Sequence, residues 1–386
     1  MSVTEDSDPA VGHGPTRACR KVFAFDTLRI GVHSEEPSHL QWLEEFLVPW
    51  FTRSRVEEVD VEVALRSDPS RFADLVRRRA TPVRIDTFAL DTRTVRFPVC
   101  GSLGNELVVF DETSKVFYLI DGDRRHVEIL SASDDRSART ALMRVVREVA
   151  MIHARRRGLL LHASCFALDG KGVLILGAKG AGKTTLLLHA LHEGAVQYVT
   201  NDRALVSEGP AGLVATGIPT IVNLRADSLA FFPRLSVRLA AHRGRHTDRL
   251  VEAPSTGQSA VPVEPIVHGL SPAQFCSLAE AKPIAAAPAA GLLFPRISTR
   301  ENGIQFRAMS NEETVRRIRE SRFGVFTSQR SPSPSAFELV LDVKAVGCAS
   351  VPRWNDLAAR TRAFECLLGR DAYVEPARNW LRRLSV

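Results

Sequence analysis

No two of the six cysteines form a C-x-x-C pair, and no Cys/His cluster has zinc-site spacing. Cys19, Cys100, Cys165, Cys276, Cys348 and Cys366 are single and far apart. That pattern argues against a disulfide framework and fits free thiols in a reducing cytoplasm. No apolar run approaches the length of a membrane span, which excludes a helical crossing of the bilayer. The start of the chain carries Glu5, Asp6 and Asp8 without an apolar core, unlike a signal peptide. Internal repeats are absent, so a solenoid is not expected. Long basic runs are missing too: Arg155-Arg156-Arg157 and Arg382-Arg383 are short, and much of the +7 net charge is scattered Arg. Solvated faces and phosphate-facing arginines explain that charge more simply than a nucleic-acid partner does. What is left is an ordinary globular composition, 45% hydrophobic and 25% charged over 386 residues, enough for two domains or one large one. The expectation is a cytoplasmic enzyme with no membrane association.

One stretch organises the rest. Gly177-Ala178-Lys179-Gly180-Ala181-Gly182-Lys183-Thr184-Thr185 fits the G-x-x-x-x-G-K-[ST] pattern of a phosphate-binding loop. Gly172–Leu176 before it reads as a buried strand, and Thr185–Leu191 after it as the first turns of a helix. Glycines let successive N–H groups curl toward phosphate oxygens. The helix N-terminus adds donors and the positive end of its dipole. Lys183 would reach the β- and γ-phosphates of ATP, and the Thr184 hydroxyl would ligate Mg2+. A glycine-rich turn without a ligand is the alternative.

Residues 1–20 are polar and rich in Gly, Pro, Ser and Asp, as in a disordered tail. Residues 21–135 read as a mainly antiparallel α+β domain. Its elements are strands over Val22–Val32, a helix from Ser38, strictly alternating Val59–Leu65, and strands near Arg84–Leu90, Val95–Val99, Glu106–Asp111, Val116–Ile120 and His126–Leu130. No catalytic constellation stands out in it. It is either a recognition or docking domain or a structural appendage. From Arg136 to Arg157 apolar residues recur at helical spacing, and Gly158 suits a C-cap. This helix starts the second domain, 136–386.

There, Leu159–Leu168 reads as a central strand, Tyr198–Thr200 as a short strand ending in Asn201-Asp202-Arg203, and Ala204–Val206 with Leu213–Ala215 as a hairpin. Ile221–Arg225 and Gly291–Arg296 are further strands, and 238–258 is a polar loop. Little regular structure is expected from Pro262 to Ala290. A helix begins at Ser310 with capping-box spacing to Glu313. A strand over Ala336–Val343, a helix from Trp354 to Leu368 and an apolar-faced tail complete the chain.

Phosphoryl transfer needs a group that orients or deprotonates the acceptor. In open α/β sheets, ligands sit outside the carboxyl ends of the strands. Asp202 closes the strand after the loop helix and suits a metal ligand or a base; a turn-forming Asp is the alternative. His162, on the strand before the loop strand, can face the same crevice; a satisfied core His is the alternative.

The run His162-Ala163, Gly172–Gly177, Gly180-x-Gly182-Lys183-Thr184, Gly194 and Asn201-Asp202-Arg203 resembles the core of the HPr kinase/phosphorylase family. The likeness covers Leu159 to about Leu224. The longer layout looks like HPr-kinase-related proteins of biosynthetic gene clusters, some of which phosphorylate a serine on a precursor peptide. The resemblance implies a P-loop kinase domain of the HPr kinase/PEP carboxykinase type. It implies Asp202 as base toward the acceptor serine, His162 as the active-site His, Lys183 as the loop lysine and Thr184 as the magnesium ligand. The acceptor is then a hydroxyl of a peptide, protein or small molecule, and a homo-oligomer is a candidate state because HPr kinases are hexamers. Three features depart from the family. Asn201 replaces the first Asp of an Asp-Asp pair, and Lys179 stands where the loop usually has Ser. The C-terminal glycine-rich signature and the second metal-binding Glu are not found. Arg225 and Arg245 are candidate active-site arginines. Two other readings are a nucleotide-dependent switch that transfers only to water and a degenerate module that senses nucleotide.

Overall fold

The computed structural model describes residues 19–78, 84–90, 93–103, 105–112, 114–123, 125–133, 136–178, 180–192, 196–243, 267–321, 353–369 and 371–384. Over these residues the chain is a mixed α/β protein with two large sheets and a long helix packed between them.

The first sheet takes β1 (Cys19–Phe25), β2 (Leu28–Ser34), β3 (Thr52–Ser54), β4 (Val61–Ser67), β5 (Arg84–Leu90), β6 (Arg93–Leu103), β7 (Glu106–Asp111), β8 (Val116–Ile120) and β9 (His126–Ser131). Their order is β3-β1-β2-β4-β9-β8-β7-β6-β5. The pairs β2–β4 and β4–β9 are parallel and the others antiparallel, so the sheet is mixed. Helix α1 (Pro37–Leu47) makes the first parallel crossover and buries Leu40, Leu43, Phe46 and Leu47. Helix α2 (Pro69–Arg78), which the sequence reading did not name, follows β4 and covers the opposite face. There Leu75 meets Val108, Phe110, Phe117, Leu119 and Leu130. All five residues of β8 are buried because both faces of that strand are covered.

Helix α3 (Arg136–Arg157) begins and ends where its periodicity predicts. It is buried on most of its circumference, and its apolar residues share one core cluster with both sheets. The boundary drawn at 135/136 therefore falls at the start of a helix that both sheets use. Gly158 is not a C-cap but the first residue of β10. A Cβ there would come within 2.2 Å of the Val206 carbonyl oxygen on a neighbouring strand.

The second sheet takes β10 (Gly158–Leu168), β11 (Lys171–Leu176), β12 (Gln197–Thr200), β13 (Arg203–Gly209), β14 (Gly212–Ile218), β17 (Ala286–Ile297), β18 (Ile304–Ala308) and β19 (Arg362–Leu368); β15 (Val222–Arg225) and β16 (Val267–Leu270) pair separately. The long strands β10 and β17 each serve different neighbours along their length. The first half of β10 pairs with β13, and its second half lies between β11 and β12. The start of β17 pairs with β14, while the rest runs parallel to β11 and β19. The carboxyl ends of β11, β17 and β19 thus gather at one place, and the glycine loop leaves from it.

The helices of this half are α4 (Lys183–Leu191), α5 (Ala226–Leu229), α6 (Pro233–Arg243), α7 (Pro272–Ala279), α8 (Asn311–Glu320), α9 (Trp354–Arg360) and α10 (Ala377–Arg382). Leu186, Leu187, Leu188 and Leu191 of α4 are buried, each contributing about 1.5–3 kcal/mol through burial. Trp50 ties the two halves together: its indole N–H donates to the Val199 carbonyl at 2.6 Å.

Three expectations give way here. The Pro/Ala-rich stretch before Gly291 contains β16, α7 and the start of β17. Pro272 sits in the first turn of α7, and Ser271 and Gln274 cap it reciprocally. The expected helix over Trp354–Leu368 stops at Arg360, because Arg362–Leu368 is claimed as a strand between β17 and β18. Part of the expected loop, to Arg243, belongs to α6. The strand expected over Ala336–Val343 and the tail at 1–18 lie outside the described residues. Among the described residues no helix is long and apolar enough to cross a membrane.

Candidate functional site

Gly177, Gly180 and Gly182 all have positive φ, at 151°, 81° and 100°. Gly180 needs glycine for conformation alone, since a Cβ there would meet nothing within 4 Å. Gly182 needs it for space as well: a Cβ would come within 3.0 Å of Leu368 at the end of β19. Gly182 is also the N-cap of α4 and makes no side-chain cap, so the first-turn N–H groups of the helix face the loop. Lys183 is buried, and its ammonium donates to the carbonyls of Gly177 at 2.7 Å and Ala178 at 3.1 Å. Thr184 is half-buried in the first turn. Thr185 is buried and hydrogen-bonds the Tyr373 hydroxyl; burial nonetheless pushes that phenol up to about 12. Ala181 closes the loop with an N–H bond to the Ala178 carbonyl at 3.2 Å. Lys179 lies outside the described residues.

The loop forms one wall of a cavity of about 410 Å³. Pro295, Arg296 and Ile297 from the end of β17 form a second wall, and Arg317, Glu320 and Ser321 from the end of α8 a third. Arg317 lies over the Phe294 ring at 5.4 Å, which steers its guanidinium along this wall. Arg296 and Arg317 were not singled out from sequence. Their signal is weak, since neither shares a motif with the loop. Arg225, singled out instead, is exposed at the end of β15 and is not among the lining residues; Arg245 lies outside the described residues.

His162 and Asp202 come together. Ala163 pairs with Leu176, the last residue of β11, so His162 stands level with Gly177 at the root of the loop. On its other side β10 meets β12 and β13 end to end, with Asn201-Asp202 filling the break between them. The Ala163 N–H donates to the Asp202 carbonyl at 3.0 Å, and the His162 N–H to the carbonyl of Ser321 at 2.9 Å. The His162 imidazole Nε2 donates to Asp202 Oδ1 at 2.9 Å; a carboxylate only accepts, so this contact fixes the proton on Nε2. Each side chain is about a third exposed. Arg203 Nε lies 3.3 Å from Asp202 Oδ2. Burial pushes the Asp202 carboxyl up, but the His162 hydrogen bond and the charges of Arg203, His162 and Arg147 outweigh it and hold it at about 2. The aspartate is an anion at any working pH.

Asn201 serves the fold rather than the cavity. Its Oδ1 accepts from the Tyr198 hydroxyl at 2.7 Å and from Thr220 Oγ1 at 3.2 Å, and its backbone carbonyl accepts from the buried Ser164 hydroxyl.

Among the described residues no group of three or more His, Cys, Asp or Glu side chains is gathered as a metal cage. Magnesium makes a smaller demand: it takes one or two protein oxygens and completes its shell with water and phosphate oxygens. The Thr184 hydroxyl and the Asp202 carboxylate are oxygen donors suited to that role.

No family model matches the chain, and no curated protein is significantly similar to it. The likeness to HPr kinases therefore rests on the motif residues alone.

Proposed function

We propose that the chain is an ATP- and Mg2+-dependent kinase with a P-loop domain of the HPr kinase/PEP carboxykinase type. It transfers the γ-phosphoryl group to a hydroxyl, a serine in the resemblance, on a peptide, protein or small molecule. The observation that carries this reading is the His162–Asp202 pair, 2.9 Å apart and level with the root of a glycine loop. Arg296 and Arg317 on the cavity wall, with Lys183 at the base of the loop behind Gly177 and Ala178, supply cationic charge for the phosphates. When bound, magnesium neutralises phosphate charge; Thr184 and Asp202 would hold it.

A carboxylate at about 2 is a weak base toward a neutral hydroxyl. That suits a loose phosphoryl transition state, in which little bonding to the acceptor has formed and positioning matters most. Asp202 accepts a hydrogen bond from the acceptor hydroxyl, aims its oxygen at the γ-phosphorus, and takes the proton once bond formation has made it acidic. His162 keeps the carboxylate turned to that task.

The test is incubation with γ-labelled ATP, magnesium and the products of neighbouring genes, followed by a mass shift of one phosphoryl group. Transfer by the native chain and none by Lys183→Ala or Asp202→Asn supports the reading. Phosphate released to water with no phosphorylated product would recast the chain as a nucleotide-dependent switch.

A further inference from the structure

One face of α3 carries Arg144, Arg147, Glu148 and Met151, spaced at three, four and seven residues. At the end near the first sheet, the Arg144 guanidinium bonds Asp111 of β7, which also accepts from the Tyr118 hydroxyl at 2.8 Å. One turn on, Glu148 is 2% exposed and accepts from Arg147 at 3.0 Å. The same Glu148 oxygen lies 3.5 Å from the Arg203 guanidinium, which is also 3.1 Å from the Met151 sulfur. Arg203 in turn faces Asp202, and Asp202 faces His162. Buried charge therefore runs from the first sheet, along one helix face, to the residue assigned as base.

The middle of this run is the vulnerable part. Arg147 and Arg203 are both about nine-tenths buried, and Glu148 is the anion between them. Burial and the neighbouring Arg203 charge push Arg147 down to about 10, so the two cations feel each other. Asp202 sits on a two-residue break between strands, where its carboxylate is aimed by His162 on one side and Arg203 on the other. Arg203 can aim it only while Arg203 is itself held.

We propose that Glu148 is a positioning residue: by anchoring Arg203 it fixes the Asp202 carboxylate beside His162 and ties that site to the first sheet through α3. The catalytic consequence rests on the kinase reading; the hold itself rests on geometry. Sites need such support because a base misplaced by an ångström loses much of its effect.

The experiment compares the full native chain with Glu148→Gln, Lys183→Ala and the double variant Arg147→Met, Glu148→Leu. Two measurements are made. One is phosphate release from Mg-ATP with water as acceptor, alongside affinity for a fluorescent ATP analogue. The other is the ring-proton signal of 15N-labelled His162 at fixed neutral pH, identified by its loss in His162→Gln. Glu148→Gln is expected to bind the analogue within about threefold of native, slow release by about ten- to a hundredfold, and move the His162 signal. The double variant removes the Arg147–Glu148 pair together and leaves the Arg203 cation balanced by Asp202, so it keeps the fold. A positioning role leaves it slow; a merely structural role restores its rate and overturns the proposal. An unchanged rate in Glu148→Gln, or a rate lost only in step with nucleotide affinity, also overturns it. If the native chain releases no phosphate above the Lys183→Ala background, the hydrolysis readout gives the kinase reading no support. The His162 signal then decides alone: a shift in Glu148→Gln upholds the anchor, and an unmoved signal rejects it.

Discussion

Asp111 and Asp202 are two aspartates with the same chemistry and opposite settings. Both meet an arginine at α3 or close beside it. Asp111, in the first sheet, is fully buried and bonded at both oxygens: Ser114 N–H donates to one at 3.1 Å, and Tyr118 and Arg144 bond the other. Asp202, in the second sheet, has His162 and Arg203 for partners and keeps about a third of its side chain exposed. A sealed carboxylate holds elements together, whereas an open one has lone pairs left for a ligand. The difference follows from position. Asp111 ends a strand beneath α3, while Asp202 fills a gap between two strands at the sheet end where the glycine loop begins.

The largest expected effect breaks the comparison at its open member. Asp202→Asn keeps the shape of the side chain but removes its charge, and should slow transfer about a thousandfold while leaving the melting temperature within a few degrees. Transfer at the native rate would remove Asp202 from the proposed chemistry. The matching change at the sealed member, Asp111→Asn, should behave in the opposite way. It leaves Arg144 without its nearest anion and should cost about 3 kcal/mol of stability, read as a lowered denaturant midpoint. Its effect on the turnover of folded protein should be small. If Asp111→Asn impaired turnover as much as Asp202→Asn, the two sites could not be separated in this way.

Lys183→Ala comes next and tests whether the open end binds nucleotide at all. A loss of about a hundredfold in ATP affinity, near 2.7 kcal/mol, should appear by calorimetry without a change in fold. Asn201→Asp is smaller and asks what the family difference means. The Tyr198 and Thr220 hydroxyls already use the Oδ1 of Asn201, and its amide lies 3.5 Å from the Ile221 carbonyl. A carboxylate there would face that carbonyl and stand beside Asp202, at a cost of about 2 kcal/mol. A variant as stable as the native chain but with tighter magnesium dependence would show instead that Asn201 is a lost ligand.

How much of this was legible in the sequence depended on how local the determining physics is. The loop and α3 are written in consecutive residues. Helix α7 was local as well, but its capping signals were hidden in a Pro/Ala-rich stretch. Strand β19 was not local. Phe364, Cys366 and Leu368 look as much like a helix continuation as a strand, and only pairing with β17 and β18 decides between them. His162 and Asp202 could be suspected because both flank the loop in the chain. Arg296, Arg317 and Glu148 could not, because β17, α8 and α3 bring them in from distant segments with no shared spacing.

The smallest expected effect concerns pH and again divides the two aspartates. The Asp202 carboxyl stands at about 2 in the folded chain against an ordinary 3.8, so folding favours its ionised form. The stabilisation is complete above the unfolded value and is lost as pH falls from near 4 through about 2. Because the side chain is about a third exposed, solvent screening reduces the worth of the shift to about 1 kcal/mol. The stability gap between native chain and Asp202→Asn should therefore shrink by that amount as pH falls from 4 to 2. Above pH 5 Asp202 does not change charge, so any pH dependence of turnover there must come from another group. Curves that stay parallel down to pH 2 would mean that His162 and Arg203 do not favour the anion. Asp202 would then be as loosely held as any surface carboxylate, and its contrast with the sealed Asp111 would be one of exposure alone.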